Sequence, residues 1–438
     1  LEIKLHGTSQ INQQQHLQIG GVDAVTLAQT YGTPLYVYDT SFVRNRAQAF
    51  KETFATEQVK AQVAYASKAF ATVAMYQLMH EEGLSLDVVS AGELYTAVQA
   101  GFPAERIHFH GNNKTEAELR YAISEQVGCY VIDNFDEIEL LNRLASEMSA
   151  TVNALIRVTP GVEAHTHEFI TTGQDDSKFG FGLLNGQTEA AIQLLQTKAH
   201  INHKGIHCHI GSQIFEMDGF ITAADRIITK MAEWQMTLNY TVDVLNLGGG
   251  FGIHYTDEDE PLAPETYVRH IIQAVKQQTA ALGLDLPEIW IEPGRSLVGE
   301  AGTTLYTVGS SKKVPGIRQY VAVDGGMGDN IRPALYEAKY SAALANRMNE
   351  PADTTVSIAG KYCESGDMLI WDAQLPQPVA GDVLAMFSTG AYGYSMASNY
   401  NRVPRAAVVF VADGQHRLVV KRESFADLVR NDLQLRGE

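Results

Sequence analysis

The sequence predicts an α/β fold: a (β/α)8, TIM-like barrel followed by a C-terminal all-β domain, a β-sandwich or barrel, which an N-terminal strand joins. Three observations carry this. From Val63 to Glu292, eight short β-rich runs recur with helical stretches between them, and parallel neighbours need such crossover helices. After Ile291 the alternation stops, and strands follow one another without long helices between them. The 438 residues are also too many for one simple core, which favours a large barrel with an appendage. A doubly wound open sheet is the alternative. It would gather ligand residues at one crevice and not at the ends of nearly all strands.

Residues 1 to 24 show no clear pattern and are rich in Gln, His and Gly. Val25 to Tyr31 reads as a short helix stopped by Gly32. Pro34 to Asp39 alternates and is aromatic, a strand expected to join the β domain because it precedes the barrel. Thr40 to Glu57 is helical. The eight barrel strands are expected near 63–68, 84–90, 106–110, 129–133, 153–159, 204–210, 243–249 and 288–292. Thr115-Glu116-Ala117-Glu118 has capping-box spacing before a run to Gln126, and Asn134 caps the next helix with Glu137 three residues on. Gly83, Gly101, Gly128 and Gly283 are the expected helix stops. Beyond the barrel, strands are expected at 303–312, 318–324, 353–360, 367–371, 382–388, 405–412 and 415–421. Only Ile331 to Arg347 interrupts them, as a loop with a short helix. The expected division is 1–39 with the β domain, 40–298 as barrel, and 299–438 as β domain. No internal repeat or low-complexity tract is evident.

Composition narrows the partners. Net charge is −18, from 33 basic and 51 acidic residues. With no basic cluster, this disfavours nucleic acid and anionic membranes, and an anionic substrate would need a local positive site. No run approaches a membrane span and no signal peptide is visible. Cys129, Cys208 and Cys363 have no paired or metal-type spacing, which fits a reducing cytoplasm.

In a barrel of this type the site lies at the C-terminal ends of the strands. The first strand, Val63-Ala64-Tyr65-Ala66-Ser67-Lys68, ends in a lysine that is costly to bury. It is tolerable where the amine is consumed as a Schiff base with an aldehyde; a lysine snorkelling to solvent is the ordinary alternative. The second gives Asp87 and Ser90, the third His110-Gly111-Asn112, the fifth Arg157. The sixth gives His207 to Ser212, the seventh Gly248-Gly249-Gly250, the eighth Glu292-Pro293-Gly294-Arg295. The triple glycine lets backbone N–H groups approach an anion, and Gly294 and Arg295 can do the same next door. A bulge or tight turn competes for the three glycines alone. Glu292 follows apolar Ile289-Trp290-Ile291. Either it pairs internally with Arg157 or Arg295, or it faces a pyridine nitrogen and keeps it protonated, which makes pyridoxal phosphate an electron sink. His209 can stack on the ring. His207 alternates with it and is expected to point into the helix layer. Neither is read as a metal ligand, because no matching Cys or carboxylate cluster follows, and no metal is expected. A lysine for the aldehyde, a glycine-rich phosphate cradle and a carboxylate for the ring nitrogen together specify pyridoxal 5'-phosphate.

Six motifs then carry a family resemblance: Tyr65-Ala66-Ser67-Lys68-Ala69, His209-Ile210-Gly211-Ser212, Gly248-Gly249-Gly250-Phe251-Gly252, Glu292-Pro293-Gly294-Arg295, Cys363-Glu364-Ser365-Gly366-Asp367 and Gly390-Ala391-Tyr392. With these the chain resembles the fold-type III pyridoxal-phosphate-dependent decarboxylases, from about Gly32 to Arg405. The barrel motifs are shared in varying degree with alanine racemases and with ornithine and arginine decarboxylases, while the Cys363 motif selects decarboxylases. The runs Gly161 to His167 through Ser177-Lys178-Phe179-Gly180, Ile331 to Tyr336, and Ser395 to Asn401 resemble the branch acting on meso-2,6-diaminopimelate.

The resemblance implies roles by position. Lys68 would hold the cofactor, His209 stack on it, and Glu292 pair with its nitrogen. Ser212, Gly249, Gly294, Arg295 and Tyr392 would surround the phosphate or border the substrate, with Asp87, Gly248 and Gly250 completing the cofactor-binding set. Arg295, Arg332 and Tyr336 would bind the substrate's distal carboxylate, and Glu364 its distal ammonium. Cys363 would reach the site from the other subunit of a head-to-tail homodimer with shared sites. The activity implied is decarboxylation of meso-2,6-diaminopimelate to L-lysine, the last step of lysine biosynthesis. Chemistry agrees: a distal carboxylate suits a bidentate arginine, whereas an ornithine or lysine enzyme has no need of Arg332. The competing readings are a surface ion pair for Arg332 and a buried, apolar role for Cys363. The segment from His165 to Lys178 is long enough for a lid or a surface excursion. Alternatives for the whole chain are a decarboxylase of carboxynorspermidine, D-ornithine or D-lysine, and a non-catalytic regulatory homologue. Intact Lys68, Glu292 and Cys363 argue against the last.

Overall fold

The computed structural model describes residues 3–162 and 175–437. They form two compact units. One comprises residues 44–253 and 260–297; the other comprises residues 1–43, 254–259 and 298–438.

The first unit is the barrel. Its strands are β1 (Ala61–Ala66), β2 (Ser85–Val88), β3 (Ile107–Phe109), β4 (Cys129–Ile132), β5 (Val152–Thr159), β6 (Ile201–His207), β7 (Val244–Asn246) and β8 (Glu288–Ile291). Each pairs in parallel with the next, and β8 returns to β1 through Ile289 opposite Ala61. That last pairing closes the sheet and removes its edges, which excludes the open-sheet alternative. A two-residue strand, Phe181–Gly182, adds to the end of β5.

Local sequence explains the helices. Thr115 accepts from the Glu118 N–H while the Glu118 carboxylate accepts from the Thr115 N–H, the reciprocal box its spacing predicts. Asn134 accepts from the Glu137 N–H ahead of the helix Phe135–Glu147. Gly83, Gly101 and Gly283 follow their helices in the left-handed region. Gly128 does not stop a helix. Gln126 takes the left-handed position at φ 60° instead. Gly128 is needed for close approach: a Cβ there would lie 2.0 Å from the Glu105 carbonyl oxygen.

In the second unit Leu35–Asp39 is fully buried. It pairs antiparallel with Gly302–Val314 and parallel with Ala407–Ala412, so the N-terminal strand does join the β domain. The sheet continues through Arg318–Val323, Thr354–Ala359 and Met368–Leu375, with Val383–Phe387 branching from Gly302–Val314. Two strand sets escaped the sequence reading. Ala342–Leu344 pairs with Val383–Phe387 inside the stretch read as loop and helix. Residues 10–23 form a small three-stranded sheet whose Leu17, Ile19 and Val22 enter the core with Leu35, Val37 and Val409. Runs of two or three residues are too short to show a period.

Candidate active site

Glu292 lies one residue past β8, buried to 8 % exposure. Its Oε1 accepts from Asn246 Nδ2 at 2.6 Å and lies 3.1 Å from His110 Nε2; its Oε2 lies 3.1 Å from His207 Nε2. Burial alone would raise its pKa, but His110 and His207 hold it well below the usual carboxylate range. His110 responds in kind: burial would lower it, yet Glu292 and Asp87 raise it to about 9. Asp87 Oδ1 is 3.4 Å from both His110 Nε2 and His108 Nδ1. His108 stacks on Trp290 with ring centroids 4.4 Å apart and reaches Gln62 Oε1 at 2.9 Å. Asp87 is thus part of an interior chain of carboxylates and imidazoles.

Several expectations change here. The internal partners of Glu292 are histidines, not Arg157 or Arg295. Arg157 lies over the Phe179 ring, 4.3 Å from its centroid, and Arg295 donates to Ser212 Oγ at 2.8 Å. His207 faces Glu292 inside the barrel and not the helix layer. Strand β6 ends at His207, so the alternation used to orient it against His209 does not extend that far. Among the described residues, His110, His207 and Glu292 are also the one trio whose potential metal-ligating atoms all lie within 4.8 Å of one another. His207 hydrogen-bonds Glu292, and His110 pairs with it as an ion pair at 3.1 Å. Asn246 and the role of His110 were missed. The signals were present: a lone asparagine in Leu245-Asn246-Leu247, and a second imidazole two residues after the first in His108-Phe109-His110.

Lys68 does not end the strand. β1 stops at Ala66, and Lys68 sits on the 3-10 turn Ser67–Ala69, exposed. The cost of burying its ammonium therefore does not arise. The turn is held from beneath: Ser67 Oγ donates to the Asp87 carbonyl and the Tyr65 hydroxyl to the Phe70 carbonyl, both at 2.7 Å. His209 lies beyond β6. Burial, with Lys68 and Arg157 adding to it, pushes its pKa well below the ordinary value, so it is neutral and its Nδ1 accepts from the Gly249 N–H at 3.3 Å.

The triple glycine serves packing first. A Cβ at Gly249 would lie 2.1 Å from the Glu292 carbonyl oxygen, and one at Gly250 2.2 Å from that of Gly211. Gly249→Ala is expected to cost about 1–3 kcal/mol or more through displacement of that backbone, read as a fall in Tm. Gly248 also donates to Asn246 Oδ1 at 2.9 Å. With Gly248 and Gly249 engaged, Gly250 remains of the three for an anion, beside Ser212, Gly294 and the buried Arg295. A carboxylate offers about four acceptor positions; at Glu292, among the described residues, Asn246 and His207 donate to it and His110 lies 3.1 Å from Oε1 as an ion pair. An exposed lysine, a neutral imidazole, an arginine-containing turn and a buried, ionised carboxylate fit a pyridine that bears an aldehyde and a phosphate.

The remaining expected residues lie in the β unit. Arg332 is buried to 8 % exposure. Its Nη1 donates to the Tyr340 hydroxyl at 2.6 Å, and its Cζ lies 5.0 Å from the Tyr255 ring centroid. The two rings meet edge to face at 5.3 Å. Burial opposes the guanidinium charge, and Tyr255 and Tyr340 more than offset this. No carboxylate pairs with Arg332 among the described residues, so the surface ion pair considered for it is not formed. Tyr336 ends the short helix Arg332–Tyr336 and is half-buried. Tyr392 is half-buried at φ +61°, a strained setting for an aromatic residue. Cys363 is exposed, unlike Cys129 and Cys208, whose burial pushes each thiol up to about 12. Its buried, apolar reading therefore fails. Glu364 is exposed beside it. Asp367 staples this loop by accepting from the Met327 and Tyr362 N–H groups at 2.7 and 2.9 Å. The lid reading for His165 to Lys178 falls largely outside the described residues.

Comparison with known proteins supplies an independent view. Residues 40–299 match the family model for the pyridoxal-dependent decarboxylase, pyridoxal binding domain. The chain is 66% identical over 429 residues to the diaminopimelate decarboxylase of Bacillus subtilis strain 168, covering 98% of both. It is 62% identical to that of Bacillus methanolicus, covering 95% of this chain and 97% of that one. Among solved structures it resembles the M. jannaschii diaminopimelate decarboxylase in co-complex with L-lysine, with a TM-score of 0.91, 35% identity and 98% of each chain covered.

Proposed function

The chain belongs to the diaminopimelate decarboxylases, a branch of the pyridoxal-dependent decarboxylases, and from that membership we propose which of its residues do what. The protein is a pyridoxal-phosphate-dependent carboxy-lyase that converts meso-2,6-diaminopimelate to L-lysine and carbon dioxide, the last step of lysine biosynthesis.

Lys68 is the amine that holds the cofactor's aldehyde carbon. Once bound, the cofactor supplies a protonated pyridinium that accepts the electron pair left by the departing carboxyl group. Glu292 keeps the proton on that ring nitrogen, and neutral His209 lays a flat face against the ring. Ser212, Gly249, Gly250, Gly294 and Arg295 surround the phosphate, with Arg295 as the countercharge; Gly248 shapes the turn. Arg332 and Tyr336, with Arg295, bind the substrate's distal carboxylate, Glu364 takes the distal ammonium, and Tyr392 borders the substrate. Cys363, or a group it positions, returns a proton to the carbon that lost its carboxylate. The observation that carries this reading is Glu292: a buried, ionised carboxylate hydrogen-bonded by Asn246 and His207, with His110 paired to it at 3.1 Å, on the same barrel rim as Lys68. Incubating the holoenzyme with meso-diaminopimelate and identifying the product by mass tests it. L-lysine is expected. Decarboxylation of a basic amino acid with no lysine released from meso-diaminopimelate would refute the substrate assignment.

The enzyme works as a head-to-tail homodimer in the cytoplasm, each site drawing Cys363 from the other subunit. The exposure of Cys363 and Glu364 on a stapled loop supports this. Among the described residues no helix is long and apolar enough to cross a membrane. Lys68→Ala and Cys363→Ala should each be nearly inactive, and their mixture should regain activity through hybrids with one intact site. Confirmed hybrids without regained activity would count against sharing.

A further inference from the structure

We propose that His110 is a positioning residue for the cofactor: bridging Asp87 and Glu292, it fixes the Glu292 carboxylate so that Oε2 is left to the pyridine nitrogen. This rests on the reading of Glu292 as the group that faces that nitrogen. The geometry is asymmetric. Among the described residues, Oε1 has both Asn246 Nδ2 and His110 Nε2 against it, at 2.6 and 3.1 Å, while Oε2 has His207 Nε2 at 3.1 Å. Without His110, the carboxylate would lose the ion pair at Oε1 that distinguishes its two oxygens.

The charges around His110 favour the same arrangement. Asp87 from β2 and Glu292 beyond β8 face its ring, and His207 at the end of β6 lies edge-on with centroids 5.0 Å apart. Burial lowers the pKa of His207, so it is a neutral donor. Arg157 from β5 acts on both Glu292 and His207 through space. His108 lies on the far side of Asp87, and the Cys129 and Cys208 thiols stay protonated. His110 is left as the one imidazolium in contact with Glu292. Its value is raised from 6.5 to about 9, so its contribution is complete below 6.5 and is lost as the pH rises through about 9.

The test uses His110→Asn holoenzyme, read by the visible absorbance of the bound cofactor across that pH window and by kcat and KM separately. The wild type should show one spectral transition near 9. The variant should lack it and already show the altered spectrum at neutral pH. Its kcat should fall about tenfold to a hundredfold, the worth of one hydrogen bond to a charged group, with KM changed by no more than about twofold. A wild-type spectrum and pH profile would overturn the proposal, as would a lower Tm with an unaltered spectrum. Asp87→Asn, which leaves the imidazole and removes its countercharge, should act in the same direction and decides the matter if His110→Asn does not fold. Glu292→Gln separates the layers. If it keeps the wild-type spectrum and turnover, the Glu292 assignment fails. If it is impaired while the His110 and Asp87 variants behave as wild type, only the present inference fails.

Discussion

Lys68→Ala is expected to purify without the visible absorbance of bound cofactor and to lose kcat/KM by at least about a thousandfold, because it removes the amine proposed as the covalent anchor. The fold should hardly notice. Lys68 is exposed, and the bonds that hold its turn belong to Ser67 and Tyr65. An exposed side chain with no part in those bonds is worth about 0.5 kcal/mol or less. Absorbance, lysine release and a melting curve on one preparation check all three statements. Retained absorbance would mean that a different amine holds the cofactor and would sink the assignment.

The second large effect is expected at Arg332. Arg332→Leu should reduce kcat/KM for meso-diaminopimelate about a hundredfold or more, through loss of a bidentate, charge-assisted pairing. Stability should fall by about 1–3 kcal/mol. The guanidinium is buried against Tyr255 and Tyr340 and pairs with no carboxylate among the described residues. An apolar side chain there leaves the buried Tyr340 hydroxyl without that donor and removes the cation from over the Tyr255 ring. Tm read beside kcat and KM tells the folding defect from the binding defect. Arg332→Lys should fall between, since an ammonium is a point charge without the planar fork. An unchanged KM and kcat in Arg332→Leu would remove Arg332 from the substrate's distal end.

Much of the barrel was legible because each strand has its own apolar run and its own stop signal, and the count of eight survives errors at any one boundary. The rim was legible for the same reason: Lys68, His209, Glu292 and Arg295 are polar residues at or just past strand ends. What the sequence hid were relations across the barrel. Nothing near Glu292 in the chain announces His110, Asn246 or His207, which reach it from three other strands. The orientation of His207 was misread because period-two alternation was carried past the point where β6 ends. Gly128 looked like a helix stop, yet it is required by a carbonyl far away in the sequence. The tyrosines that hold Arg332 come partly from a distant segment, residues 254–259, which no local pattern links to residue 332.

The strand Leu35–Asp39 has a consequence for how the chain is made. It is synthesised early, but its parallel neighbour Ala407–Ala412 comes near the end, and Thr40 Oγ1 meets the Val411 carbonyl 371 positions away. At ribosomal rates of about 5 to 20 residues per second, that is a wait of roughly 20 to 70 seconds. Until residues 302–314 are made, the apolar strand lacks both of its partners, and after that it still lacks one. The barrel, whose pairings all run between sequence neighbours apart from β8 with β1, can close in the meantime. The sheet of the β unit is therefore completed only after the last barrel strand has been made, and until then this apolar strand has open edges.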